Sequence, residues 1–387
     1  MVTGKQGQVP EGTDFNKSAM SALGSYTKTQ KIMQQINQLK YLNAINILVS
    51  AQVGALQKIS DSFRGNFEHA WHSPTLKNFL PKDAPDKSKI DPEKEFEKLE
   101  KDSIYIITLK DKAYPKLLKN IFDPPFLLYV KGNSNILKNN CFAIVGTRTL
   151  TDYGKRVTPV IAGVVAEAGL TIVSGLAMGI DGLAHRAAVE RNAPTIAVLG
   201  GGVSLQSIVY ENKKLSDEII KKGGAIISEY PLTVHGNKYS FPQRNRIISG
   251  LSRGVLVIEA DEKSGSLITA KSALEQNRDV FAVPGPIFSS KSRGPNSLIQ
   301  SGAKLVTCGE DILTEYNISG TLAKPLVLPK SELEKNILAI ITEKEIELDK
   351  IIRETKKPAS EVISCLMDME LENKIRNLGN NKFVIYN

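Results

Sequence analysis

Six short apolar runs, most of them rich in β-branched residues, alternate with helical segments between residues 142 and 313. Runs of this length that are bounded by turn residues are typical of buried strands. Their alternation with helices predicts a doubly wound parallel sheet with helices on both faces, which is an α/β fold. The predicted strands are Phe142–Val145, Leu170–Val173, Thr195–Leu199, Ala225–Ile227, Val255–Ile258 and Val280–Val283.

The turns that follow these strands are where a ligand is expected, because open parallel sheets bind ligands beyond the carboxyl ends of their strands. Five of the six turns contain glycine. Glycine turns that meet at one edge expose backbone N–H groups, which suits several phosphates better than one cofactor. The candidate ligand-binding residues in these turns are Gly146, Thr147, Arg148, Gly175, Gly200, Gly201, Gly202, Ser264, Gly265 and Ser266.

The first of these turns joins a strand to a helix that begins near Thr151 or Asp152. A strand that turns through glycine into a helix leaves backbone N–H groups for an anion, and the guanidinium of Arg148 suits phosphate. Two interpretations remain open: a phosphate site, or an ordinary turn with a surface arginine. The spacing does not match G-x-G-x-x-G, so no dinucleotide cofactor is expected.

Residues 238–252, KYSFPQRNRIISGLS, interleave cations with aromatic residues. Single-stranded nucleic acid needs charge for its backbone and ring faces for its bases. We predict that Lys238, Phe241 and Arg244 contact such a ligand. The alternative is that Phe241 packs against the end of the sheet. We assign Arg246 to a structural ion pair with an acid such as Glu229, and leave Asn245 open between a backbone bond and a ligand.

Conventional catalytic groups are sparse. Asp181 and His185 share one helix face at i and i+4, which permits acid–base chemistry. Their small, apolar surroundings favour a buried, hydrogen-bonded pair instead. No histidine is placed to activate a serine between Ser264 and Thr269, so these hydroxyls are predicted to cap a helix or to bind phosphate. Three scattered cysteines without C-x-x-C predict a reducing compartment and no metal site.

The remaining chain predicts several domains. Net charge +9 and pI 9.2 favour polyanionic partners, although general lysine enrichment would give the same values. We find no signal peptide or membrane span and expect a cytoplasmic protein. Strands are also expected at Ile104–Ile107 and Phe126–Val130. The predicted divisions are a disordered tail 1–28, a small helical domain 29–80, a linker 81–95, the sheet domain 96–316, a linker 317–330 and a winged-helix domain 331–387.

Seven segments, in this order and spacing, resemble the DNA-processing protein A (DprA/Smf) family: GTRTLTDYG, SGLAMGIDGLAH, IAVLGGG, SEYP, FPQRNRIISGLS, EADEKSGSLITA and AVPG. The likeness is strong between Asp111 and Ile312. It implies a Rossmann-like domain that binds and protects single-stranded DNA without sequence preference. It also implies loading of the RecA recombinase during natural transformation, a homodimer formed through the sheet domain, and no enzymatic activity. Arg148 and Lys238 fall on the family's pocket arginine and lysine.

The sequence departs from the family pattern in two places. VSLQSIVYENKKL stands after Gly202 where the family has an aspartate and a Tyr-Pro pair, and the N-terminal helical region resembles a helix-hairpin-helix without its glycine hairpin. The alternative function is a nucleotide-binding enzyme of the phosphoribohydrolase type. Such enzymes carry PGGxGTxxE, whereas Ser264 to Lys271 has neither the PGG nor a glutamate beside Thr269. The acidic last helix of the winged-helix domain favours contact with protein over DNA.

Overall fold

The structure is a computed structural model that describes residues 15–318 except 51, 53 and 233, and then residues 329–341, 346–372, 374–379 and 381–385. The chain divides into two compact units, Met1–Ile318 and Ser319–Asn387. None of the helices in the described ranges is both long enough and apolar enough to cross a membrane.

The described part of the first unit contains a nine-stranded sheet in the order β1-β2-β6-β5-β4-β3-β7-β8-β9. All six predicted strands of the parallel sheet are confirmed, as are the two strands before them. Strands β3 to β9 pair in parallel, and β1 and β2 extend the β6 edge in antiparallel fashion. The strands are β1 (Ile104–Thr108), β2 (Leu127–Gly132), β3 (Cys141–Val145), β4 (Thr171–Ser174), β5 (Thr195–Val198), β6 (Ala225–Ser228), β7 (Gly254–Val257), β8 (Asp279–Ala282) and β9 (Lys304–Leu305).

Helices cover both faces of this sheet, as the alternation predicts. They are α1 (Phe15–Val49), α2 (Ala55–Ser62), α3 (Phe67–His72), α4 (Pro92–Lys101), α5 (Lys116–Lys119), α6 (Asp152–Glu167), α7 (Ile180–Glu190), α8 (Lys213–Lys221), α9 (Ser240–Leu251), α10 (Gly265–Glu275), α11 (Ser290–Gln300) and α12 (Gly309–Glu315). The strand order reverses at β3, with β4 on one side and β7 on the other. Ligand crevices form at such a switch point.

The N-terminal helices share a hydrophobic core with the sheet. Buried Leu42, Ile45 and Trp71 belong to the same cluster as Ala197 and Ile226 of strands β5 and β6. Helix α1 also begins at Phe15, inside the predicted tail 1–28, whose first fourteen residues lie outside the described part. The structure thus assigns residues 15–28 to helix α1, where the sequence predicts disorder. These residues contain no proline and several good helix formers, which explains the helix.

The second unit has the predicted winged-helix elements around its own small core. They are α13 (Glu332–Ile340), β10 (Ile346–Glu347), α14 (Leu348–Thr355), α15 (Ala359–Leu371), β11 (Ile375–Asn377) and β12 (Lys382–Ile385). Ser331 caps α13 by accepting a hydrogen bond from the Glu334 N–H at 3.1 Å. The core is built from Ile337, Ile351, Val362 and other apolar residues of this unit. Most of the predicted linker 317–330 lies outside the described residues.

Candidate nucleic-acid site

The turn after β3 presents Arg148 to solvent and holds its other members inside. A Cβ added at Gly146 would lie 2.5 Å from Cγ1 of Ile180, so only glycine fits there. Thr147 is buried, and its N–H donates to the Glu259 carbonyl oxygen at 2.7 Å. The backbone of this turn is therefore used within the protein, while the Arg148 side chain is exposed.

A carboxylate already occupies the start of helix α6. The Thr151 N–H donates to Oε2 of Glu259 at 3.2 Å, and the Thr151 hydroxyl donates to Oε1 of the same group. Thr151 in turn accepts from the Gly154 N–H, which makes it the N-cap. A Cβ at Gly154 would lie 2.2 Å from Oε2 of Glu259. Glu259 and the Thr151 hydroxyl therefore accept from two N–H groups at this helix start, those of Thr151 and Gly154.

Arg244 of helix α9 is buried and ties strand ends together. Its Nη1 donates to the Gly175 carbonyl at 2.8 Å and to the Val198 carbonyl. Burial lowers the pKa of Arg244 to about 10, and burial also raises the pKa of Asp181 despite the nearby Arg244 charge. A Cβ at Gly175 would lie 2.6 Å from the guanidinium nitrogens of Arg244. Arg244 and Gly175 thus build the floor of the site.

Asn245 makes a backbone hydrogen bond, which is one of its two predicted roles. Its Nδ2 donates to the Gly265 carbonyl oxygen at 3.1 Å, and its Oδ1 accepts from Nε of Arg244 at 3.1 Å. Asn245 therefore bonds the turn before α10. In that turn Ser264 is the N-cap of α10 and accepts from the Ser266 N–H, so the capping role of Ser264 is confirmed.

Arg148 stacks on Phe241 at the rim of this floor. The Arg148 Cζ lies 5.0 Å from the centroid of the Phe241 ring. The ring also lies close to two glycines: a Cβ at Gly200 would lie 2.8 Å from Phe241 Cδ1, and a Cβ at Gly236 would lie 2.8 Å from its Cζ. The half-buried ring is thereby fixed in place. The pair combines a permanent positive charge with an aromatic edge.

A cavity of about 230 Å³ lies beside this pair. It brings together eight of the predicted site residues, namely Gly146, Arg148, Phe241, Arg244, Asn245, Ser264, Gly265 and Ser266. The other lining residues are Val145, Ala177, Asp181, Pro242, Ile248 and Thr269. Of these, the sequence suggests phosphate binding or capping for Thr269 and acid–base chemistry or a buried pair for Asp181, and it gives no role to the other four. Pro242 stands next to Phe241 and is exposed, so its place in the FPQRN segment was the available signal.

The remaining predicted residues are Thr147, Gly175, Gly200, Gly201, Gly202 and Lys238, and they do not line the cavity. Gly201 and Gly202 are buried, and they lie close to the backbone of residues 234–236 and 231–232, respectively. A Cβ at Gly201 would lie 2.7 Å from the Gly236 N, and the Gly202 N–H donates to the Val234 carbonyl at 2.8 Å. Lys238 is exposed, with its Nζ 5.0 Å from the centroid of the exposed Tyr239 ring.

Asp181 and His185 are buried, as predicted, but they do not form the predicted hydrogen-bonded pair. Asp181 Oδ2 accepts from the Gly175 N–H at 3.1 Å, whereas Nδ1 of His185 lies 2.8 Å from the Thr195 hydroxyl. Burial lowers the pKa of His185 to about 3. His185 is therefore neutral near pH 7 and does not line the cavity. Within the described ranges, no cluster of three or more His, Cys, Asp or Glu side chains is suited to a metal ion.

The structural role assigned to Arg246 is confirmed. Its Nη2 lies 2.7 Å from Oε2 of Glu229, and its Nε lies 2.9 Å from Oδ2 of Asp123. Asp123 precedes β2 and Glu229 follows β6, so the arginine joins helix α9 to these two neighbouring strands. Among the three charged groups, Glu229 and Arg246 are the more deeply placed.

Comparison with known proteins agrees with this architecture. The family described as DNA recombination-mediator protein A matches residues 105–317, and the DprA winged helix domain matches residues 322–381. Protein Smf of Escherichia coli is 40% identical over 286 residues, 70% of this chain and 75% of that protein. DNA processing protein DprA of Bacillus subtilis is 48% identical over 214 residues, 55% of this chain and 71% of that protein.

A solved structure shows the same fold at this level of identity. The X-ray structure of DNA processing protein A from Streptococcus pneumoniae superposes with a TM-score of 0.59 at 36% identity. It covers 71% of this chain and 97% of that one. Because the family match spans more than half of the chain and both domains occur in order, the chain belongs to the DNA recombination-mediator protein A (DprA/Smf) family.

Proposed function

We propose that this protein binds single-stranded DNA without sequence preference at the Arg148–Phe241 rim. We further propose that it acts as a recombination mediator that protects incoming strands and loads RecA during natural transformation. The observation that carries the proposal is the stacked pair itself. The guanidinium of Arg148 lies 5.0 Å from the Phe241 ring centroid, and Arg148 has no ion-pair partner in the described part of the chain.

The exposed cations and rings of this region are the groups that a ligand can contact. Arg244 and Asn245 form hydrogen bonds with the protein backbone and with each other. Arg148 and Lys238 are exposed, the first beside the ring of Phe241 and the second beside the ring of Tyr239. Charge for the phosphates and ring faces for the bases are what a strand with unpaired bases requires, and this combination carries no base-specific readout.

Two features support partner contacts of the kind expected in this family. Ile287 and Phe288, which follow β8, are exposed to 76% and 95%. Such an apolar surface on the sheet unit suits a homodimer contact. Helix α15 of the winged-helix unit exposes Glu361 and Asp368 along with Met367. An acidic helix repels a phosphate backbone, which favours protein contact over insertion into a DNA groove.

The alternative function, a nucleotide-cleaving enzyme, has weaker support. The carboxylates nearest to the cavity, Asp181 and Glu259, are each bonded to backbone N–H groups, and Glu259 also accepts from the Thr151 hydroxyl. A carboxylate used in this way is poorly placed to activate water. Incubation with nucleoside monophosphates tests this alternative. We expect no free base, and its release at a steady rate would establish an enzyme instead.

The proposed site is tested with Arg148→Ala and, as a matched control, Arg186→Ala, which removes an exposed arginine outside the cavity. One neutralised phosphate contributes about 0.7 to the slope of log K against log salt on single strands. We expect Arg148→Ala to reduce the slope by that amount on every sequence, and Arg186→Ala to leave it unchanged. Single strands should bind more tightly than blunt duplex in the same salt.

The Phe241→Ala variant separates stacking from charge. It should weaken binding by about 1–3 kcal/mol if a base stacks on the ring, with nearly the same salt slope. Equal binding of single strands and duplex, together with an unchanged slope in Arg148→Ala, would refute the site. A fall in melting temperature without a loss of affinity in Phe241→Ala would assign the ring to packing alone.

A further inference from the structure

A second cavity, of about 610 Å³, lies at the opposite edge of the sheet from Arg148. Asn139 and Asn140 line it and directly precede β3, and Arg253 lines it and directly precedes β7. These positions are the amino ends of two adjacent parallel strands, whereas Arg148 follows the carboxyl end of β3. The five residues of β3 separate the two edges by about 16 Å at the usual rise per residue.

All the charged side chains that line this cavity are positive. Four of its lining residues are cations, namely Lys112, Lys116, Lys138 and Arg253, and none is an aspartate or glutamate. The whole chain has 50 Lys and Arg against 41 Asp and Glu, so composition alone would place acids among them. The three lysines are exposed, and in the described ranges none has a carboxylate within ion-pair distance. Their positive potential is therefore not cancelled locally.

The arginines at this edge are held more firmly than the lysines. The Arg253 Cζ lies 4.2 Å from the centroid of the Tyr316 ring. Arg278 donates through Nη2 to the carbonyl of Leu117, a lining residue, at 3.0 Å, and its buried Nε has no hydrogen-bond partner among the described residues. Arg253 and the three exposed lysines together form a broad cationic surface. Such a surface suits a ligand with repeated negative charges better than a single compact anion.

We propose that this amino-edge cavity is a second binding site for the phosphodiester backbone of single-stranded DNA, used by a part of the strand distant from Arg148. The proposal rests on the proposed function. The lining aromatic residue Tyr114 is only 4% exposed, and its hydroxyl donates to the Pro125 carbonyl. No ring face is therefore offered to a base, so contact at this edge is to the phosphates alone and is independent of sequence.

The position of the two sites has a consequence for strand length. A strand of about four nucleotides, which spans roughly 14 Å at about 3.4 Å per nucleotide, is expected to occupy the Arg148 site alone. A strand of about 40 nucleotides reaches both edges, since single-strand sites of this kind cover roughly 4–16 nucleotides each. The amino-edge lysines should contribute to the binding of the long strand only. This length dependence distinguishes a second site from a general effect of net charge.

The test compares Lys116→Ala/Lys138→Ala with Lys101→Ala/Lys221→Ala. The second pair removes two exposed lysines that lie outside the cavity and have no ion-pair partner among the residues that the structure describes. Fluorescence anisotropy over a range of salt gives the slope for each strand. For the long strand we expect the slope to fall by about 1.4 in the first variant, twice the value for one phosphate. The short strand should be unaffected, the control should match the unsubstituted protein, and all three proteins should melt alike.

Three results would overturn the second site. They are an unchanged slope on the long strand, an equal loss on the short strand, and an equal loss in the Lys101/Lys221 control. Displacement of the long strand's amino-edge contact by polyglutamate as readily as by inorganic polyphosphate would also reassign the surface to an acidic peptide. The Arg148→Ala variant keeps the two proposals apart, because short-strand binding must fall in it if the proposed function holds, whichever way the lysine variant behaves.

Discussion

Protonation of His185 is the acid-sensitive event that we expect in the sheet unit. The side chain is completely buried in helix α7, and its Nδ1 lies 2.8 Å from the Thr195 hydroxyl oxygen. That hydroxyl donates to the Ile172 carbonyl at 2.7 Å, so Nδ1 of His185 must be the donor in the contact with Thr195. Burial removes the water that would solvate an imidazolium and lowers the pKa of His185 to about 3.

The size of the effect follows from the two pKa values. An unfolded chain has a histidine pKa of about 6.5, and each pH unit of difference corresponds to about 1.36 kcal/mol. Because the folded pKa is the lower one, the contribution of neutral His185 to stability is complete above pH 6.5 and falls as the pH drops towards 3. At pH 4.5, about 2.7 kcal/mol of unfolding free energy should have been lost through this residue.

Urea unfolding, followed by fluorescence of the single tryptophan Trp71, measures this loss at several pH values between 7.5 and 4.5. The comparison is His185→Asn, whose amide nitrogen can still donate to Thr195 but does not titrate. Asp181 and Glu229, whose pKa values are raised by burial, are present in both proteins and cancel in the difference. We expect the gap between the two proteins to narrow by about 2.7 kcal/mol on acidification. Parallel curves would refute the argument.

Two further predictions concern stability. Gly154→Ala should lower the free energy of unfolding by about 1–3 kcal/mol, because the new Cβ would displace the Glu259 carboxylate that binds Thr151. Gly265→Ala is the control and should leave the free energy of unfolding unchanged, because the space around its new Cβ is open. Equal melting temperatures for these two variants would contradict the importance of the contact between Glu259 and Thr151 at the start of α6. Glu229→Gln should lower the free energy of unfolding by about 3 kcal/mol, because the positive charge of Arg246 then has one carboxylate partner instead of two. This value is at the low end for a buried ion pair because Asp123 remains as a partner. A loss below about 1 kcal/mol would show that Asp123 suffices.

The fold could be predicted because its signal is local. Strands β3 to β6 are short, mainly apolar runs in which every residue is buried, and turn residues mark their ends. Strand β9 escaped prediction because it has only two residues, Lys304 and Leu305, and is specified by pairing with β8. The helix over residues 15–28 was missed because polar composition was given more weight than helix propensity.

The site was predicted less completely, because its chemistry depends on contacts between distant segments. Thr151 and Glu259 are 108 residues apart, and nothing in either segment indicates that a carboxylate closes the start of α6. The segment RNR contains two arginines that the sequence cannot rank by burial. In the structure, Arg244 donates to backbone carbonyls, whereas Arg246 joins helix α9 to the end of strand β6 through its ion pair with Glu229.

These contacts change the physical picture of the site from a floor of open backbone N–H groups to a rigid base with a charged rim. Thr147, Gly202 and Thr151 all donate their N–H groups within the protein. If the proposed function holds, we therefore expect Arg148 and Lys238 to contact phosphate through their side chains rather than through backbone N–H groups. Affinity of that kind is electrostatic and stacking in origin, so it should vary with salt and strand length rather than with base sequence.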